Sequence, residues 1–67
     1  MTGVEVRELR RSVGWGQVRL AAALGVDPST VARWEQGRVE VSGLASLAVR
    51  AVIAEEAAKR KRQQNKP

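Results

Sequence analysis

An all-α fold in one small domain is what this sequence predicts, on three observations. Apolar residues recur at spacings of three and four along most of the chain, the period of a half-buried helix. Strand signals are weak: there is no Phe, no Tyr and no sustained apolar–polar alternation. Helix-stop and helix-start residues (Gly14, Gly25, Asp27-Pro28 and Gly37) fall between the apolar stretches. The 67 residues make one domain, and a chain of that size buries only about 60% of its unfolded surface. With no Cys and no His, disulfides and the usual zinc sites are excluded. Stability has to come from close helix packing or from a second copy of the chain.

The first helix is expected to begin after Thr2, a fair N-cap, and to end before Gly14. Val6, Leu9 and Val13 share one face, and Arg10 lies on that same face, where it needs a partner. The second helix is expected from Gln17 to Leu24, with Gln17, Leu20, Ala21 and Leu24 on one side. Gly25 supplies the left-handed position that ends it, and Val26 is placed to fold back on its last turn. The third helix opens on Asp27 as N-cap and Pro28 at the first helical position, and Gly37 closes it. Its inward stripe is Val31, Trp34 and Glu35. Arg10 and Glu35 are therefore opposite charges on two apolar stripes, and the sequence predicts that they pair across the core. Breaking such a pair costs about 3–5 kcal/mol.

Residues 38–43 read as an extended connector. The fourth helix is expected from near Ser42 to about Arg62, with Glu55–Lys59 and Glu56–Arg60 as favourable i, i+4 pairs and the final QQNKP frayed. This helix is apolar on two sides, which calls for two partners. Leu44, Leu47, Ala48 and Ala51 are assigned to the chain's own core. Ala45, Val49, Val52 and Ile53 are assigned to a second copy, with Val49, Val52 and Ile53 as the dimer interface.

The net charge is +5, unevenly spread. Residues 1–58 hold seven basic and seven acidic side chains; the excess is Lys59, Arg60, Lys61, Arg62 and Lys66. A boundary follows, with a domain over 1–58 and a basic, frayed tail over 59–67. A basic tail on a neutral domain points to an anionic partner, most often nucleic acid, the plainer alternative being a solubilising extension. No apolar run approaches the roughly 18 residues of a membrane span, and arginines interrupt the N-terminal stretch where a signal peptide would need to be apolar. The expectation is a cytoplasmic protein with no membrane partner.

Catalysis has little support. The serines have no base beside them, the carboxylates show no metal-ligand spacing, and Gly14-Trp15-Gly16 is too short for a phosphate loop. Neither an enzyme, a metal nor a cofactor is expected. The organised signal is the run Gln17, Leu20, Ala21, Leu24, Gly25, Val26, Val31, Trp34. Ala21 is small enough for two helices to cross closely, Gly25 reverses the chain, and Val31 and Trp34 pin the second helix to the first. This is the layout of a helix-turn-helix, whose second helix enters a DNA major groove.

The stretch LRRSVGWGQVRLAAALGVDPSTVARWEQG, Leu9 to Gly37, resembles the Cro/cI-type helix-turn-helix regulators of the XRE family. Arg10, Gly14, Gln17, Leu20-Ala21, Leu24-Gly25-Val26, Asp27, Thr30-Val31, Trp34-Glu35 and Gly37 occupy the family's places. Trp15 stands where a smaller aliphatic residue is usual, and Gly16 where a Ser or Thr caps the second helix. The resemblance implies a compact four- to five-helix, lambda-repressor-like DNA-binding domain from a prokaryote or phage. It implies a homodimeric repressor of its own operon on a palindromic double-stranded operator, and a structural ion pair between Arg10 and Glu35.

In that docking mode the base-reading residues are Pro28, Ser29, Ala32, Arg33 and Gln36. Arg33 is suited to a bidentate contact with guanine O6 and N7, Ser29 to a base or phosphate, and Ala32 or Pro28 to a thymine methyl. Phosphate contacts are expected from Gln17, Arg19, Thr30 and Arg38. The rival reading is an antitoxin-type module whose C-terminal helix neutralises a small protein partner. A third, an RNA or membrane-surface peptide driven by the tail, is weakened because Trp15 and Trp34, the only aromatics, look structural.

Overall fold

In a computed structural model, residues 1–64 are described, with side chains to Lys61. Four helices follow one another: α1 (Gly3–Ser12), α2 (Gln17–Leu24), α3 (Pro28–Glu35) and α4 (Gly43–Gln64). The described residues contain no strand and no fifth helix. No helix among them is long and apolar enough to cross a membrane.

The helix starts follow from local chemistry. Thr2 accepts from the Glu5 amide at 3.2 Å while Glu5 accepts from the Thr2 amide at 2.9 Å, a reciprocal capping box. Asp27 accepts from the Ser29 amide at 2.8 Å, and Ser42 accepts from the Ala45 amide at 3.1 Å. The first three helices end alike. Gly14, Gly25 and Gly37 take φ of +69°, +72° and +75°. The residue after each donates back to the helix: Trp15 to Arg10, Val26 to Ala21 and Arg38 to Arg33, each at 3.0 Å. These are Schellman turns, and the positive φ is why glycine stands at each. Val26 contributes its amide to the turn, and its side chain stays 37% exposed.

The core is Val6 and Val13 of α1, Leu20 and Ala21 of α2, Val31 and Trp34 of α3, Val41 of the connector, and Val49 and Ile53 of α4. Gly3 lets α1 start hard against the end of α3. A Cβ there would overlap the Trp34 carbonyl oxygen and stand 2.9 Å from the Glu35 Cα.

The faces of α4 are the reverse of the expectation. Val49 and Ile53 are buried in the core and Val52 packs against it, whereas Leu44 and Leu47 are 81% and 68% exposed. Val49, Val52 and Ile53 are therefore not a free dimer interface. The physical reason lies along the helix. The Val49–Val52–Ile53 side carries branched bulk over the middle of the body. The Leu44–Leu47 side is large only in its first turns and continues as Ala48, Ala51, Ala54 and Ala58, which would leave voids. The helix also runs on through Lys59, Arg60 and Lys61, so these residues of the expected frayed tail are helical; residues 65–67 lie outside those described.

Candidate nucleic-acid interface

Glu35 ties α3 to the body. Its side chain is 1% exposed, at the inner end of α3. Arg10 Nε donates to Oε2 and Arg10 Nη2 to Oε1, both at 2.8 Å. Gln17 Nε2 and Arg7 Nε donate to Oε1 at 3.2 and 3.3 Å. Arg10 Nη1 also donates to the Trp15 carbonyl at 3.0 Å, so one guanidinium fastens α1 to both α3 and the α1–α2 turn. The Arg10 hydrogen bonds hold the Glu35 carboxyl below the usual carboxylate range, against the upward push of burial. The same bonds raise the Arg10 guanidinium further. A buried carboxylate with two arginines and an amide has its charge and most of its acceptor sites satisfied.

Val31, Trp34 and Glu35 fill the inner face of α3. Its outer face carries Pro28, Ser29, Arg33 and Gln36, all exposed, with Ala32 half-buried beside them. The outer side of the leading turn is thus uncovered by the other described residues. Asp27 occupies the Ser29 amide and the Asp27 carbonyl accepts from Thr30 at 2.9 Å, so this turn offers side chains outward more than free backbone donors. Hydrogen bonding to Ser29 holds the Asp27 carboxyl low.

The expected phosphate residues divide. Arg38 is exposed just past α3, and Thr30 is half-buried. Gln17 turns its amide inward to Glu35, leaving the backbone at the start of α2. There Gly16 caps without a side-chain bond, so the first-turn N–H groups of α2 lack that partner. Arg19 lies with its guanidinium 4.7 Å from the centre of the Trp15 ring, a cation–π contact. It lines a groove with Trp15, Val52, Glu55 and Lys59, facing α4. Arg7 is a functional part of the scaffold that the pattern missed. It sits off the α1 apolar stripe, 44% exposed, and reaches Glu35 only by its length.

The interface so built consists of a short helix held out by its inner face, a glycine turn before it, and a second helix whose first turn is open. A family model described as a helix-turn-helix domain matches residues 3–55. Comparison with curated proteins and with solved structures gives no match. Helices α2 and α3, the turn at Gly25 and a match that spans most of the chain agree: this protein belongs to the helix-turn-helix family of DNA-binding domains.

Proposed function

We propose that the chain is a cytoplasmic, sequence-specific transcriptional regulator of the Cro/cI type, acting by binding and not by catalysis. Its partner is a palindromic double-stranded operator, and it works as a homodimeric repressor of its own operon. The observation that carries this reading is the two-sidedness of α3, whose inner face is locked through Val31, Trp34 and Glu35 while Ser29, Arg33 and Gln36 stand clear.

Arg33 supplies the main base contact, bidentate to guanine in the major groove. Ser29, Gln36, Ala32 and Pro28 shape the rest of the reading surface. Arg38, Thr30 and the open first turn of α2 at Gln17 meet phosphates and set the register. Arg19, engaged over Trp15, is the weakest of the phosphate candidates. Four or five side chains specify too little sequence alone, so two copies reading half-sites about one helical turn apart complete the recognition. The alternative is an antitoxin-type module whose C-terminal helix neutralises a small protein partner; the Val49, Val52 and Ile53 face is filled by the chain's own core and is open neither to such a partner nor to a second copy.

The test is a gel shift on DNA upstream of the chain's own operon. Wild type binds one palindromic segment, and Arg33→Ala loses about 1–3 kcal/mol of discrimination at a guanine position. Equal affinity and selectivity in the two proteins overturns the assignment.

A further inference from the structure

Helix α4 has an outer apolar face that no described residue covers. Leu44, Leu47, Ala51, Ala54 and Ala58 follow one another at spacings of three and four, all exposed and opposite the side that carries Val49 and Ile53. Alternation of three and four is the seam of a coiled coil, with Leu44, Ala51 and Ala58 at a and Leu47 and Ala54 at d. Alanines at three of the five seam positions let two helix axes approach closely.

We infer that this stripe is the seam of a homodimer in which α4 of a second copy lies parallel and in register. The charges beside the seam select both occupant and direction. Arg50 lies on one flank and Glu55 on the other, five residues later. That offset is the g-to-e′ spacing of a parallel pair, so Arg50 of each copy faces Glu55 of the other, twice per dimer. An antiparallel pair sets Arg50 against Ala57 and Glu55 against Ala48, and matches no charge. Glu55 is held only by an exposed ion pair with Lys59 at 3.4 Å, and Arg50, which shares a groove with Glu5 and Glu8, closes an ion pair with neither among the described residues.

The direction has a consequence at the other end of the helix. The Arg60 guanidinium lies beside Gly14, 3.7 Å from where a Cβ would stand, and Lys59 shares the groove of Trp15 and Arg19. The basic end of α4 therefore sits near the start of α2. A parallel seam carries both basic ends to the side of both α2 first turns, where the operator reading places phosphate. This last step rests on that reading; the seam does not.

The chain contains no cysteine, so single-cysteine variants report the pairing directly in the absence of DNA. Under mild oxidation Leu47→Cys and Ala51→Cys each cross-link to themselves, while Val18→Cys on the far exposed face of α2 does not. Sedimentation gives a dimer that Leu47→Lys shifts at least tenfold toward monomer with the helical circular dichroism unchanged. Arg50→Glu and Glu55→Arg each weaken the dimer, and the double exchange restores it. Cross-linking only between Leu47→Cys and Ala58→Cys overturns the parallel direction. A monomer at every concentration, or a stripe covered only by a different small protein, overturns the seam. A seam that forms while no operator is bound leaves this inference standing and defeats the regulator. A monomer that binds the operator overturns the seam and the homodimer and leaves only the base-reading assignment of α3 standing.

Discussion

Arg10 and Glu35, twenty-five residues apart in the chain, meet through two side-by-side hydrogen bonds of 2.8 Å, from Nε and Nη2 of one guanidinium to the two oxygens of one carboxylate. The arginine side chain is 12% exposed and the glutamate 1%, so either partner left alone is a nearly dry charge. Glu35→Ala and Arg10→Ala are each expected to cost about 3–5 kcal/mol. In a domain this small that is most of the folding free energy. Replacing both at once, with Arg10→Met and Glu35→Leu, recovers much of the loss, because no unpaired charge remains. Arg7→Ala, at 44% exposure, costs about 0–1 kcal/mol. Urea titrations of the four variants check the order.

Acid should unfold the protein through the same carboxylate. Glu35 has its pKa lowered in the folded state, first by the Arg10 hydrogen bonds. Its contribution is therefore fully present above the unfolded carboxylate value of about 4.3 and is lost as pH falls through the lower folded value. Asp27 and Glu5 shift in the same direction through their capping bonds. Thermal melts from neutral to acid pH are expected to fall steeply below that range for wild type. Glu35→Gln starts less stable and falls less steeply.

Gly3 tests the crossing of α1 and α3. Alanine is ordinarily the better helix former by about 1 kcal/mol, yet its methyl group would overlap the Trp34 carbonyl, which is backbone and cannot swing aside. Gly3→Ala is expected to lower the melting temperature, whereas Gly43→Ala, with open space around it, leaves it level or raises it. A more stable Gly3→Ala would show that the two helices do not meet so closely.

Reading and gripping should separate. Arg33→Ala relaxes preference at one guanine by about 1–3 kcal/mol with little change in salt dependence beyond the lost charge. Arg38→Ala weakens binding to all sequences and reduces the slope of log K against log salt by about 0.9. Binding isotherms on operator and scrambled duplex at several salt concentrations distinguish the two. Neither change should move the melting temperature, since both side chains are exposed and lie outside the core.

The first three helices were legible because their ends are written in single residues. Thr2, Asp27 and Pro28 start helices; Gly14, Gly25 and Gly37 stop them, and the bounds of α2 and α3 follow. The Arg10–Glu35 pair was legible because each charge interrupts an apolar stripe. The inward turn of Gln17 was not, because a glutamine at a helix start suits a phosphate and a buried carboxylate equally well. The orientation of α4 was also hidden. Apolar residues on both sides of a helix leave periodicity without a preferred direction, and only the fit of Val49 and Ile53 into the space left by α1 and α2 selects one.

The groups that fasten α3 are all on its inner side, and Ser29, Arg33 and Gln36 share no hydrogen bond with them. The side chains proposed to read bases are thus separate from those that hold the frame. The three on the outer surface can be exchanged, singly or together, with little thermodynamic penalty to the frame that carries them. A library randomised at those positions should return mostly folded members with altered DNA preference, which makes the chain a compact chassis for retargeting.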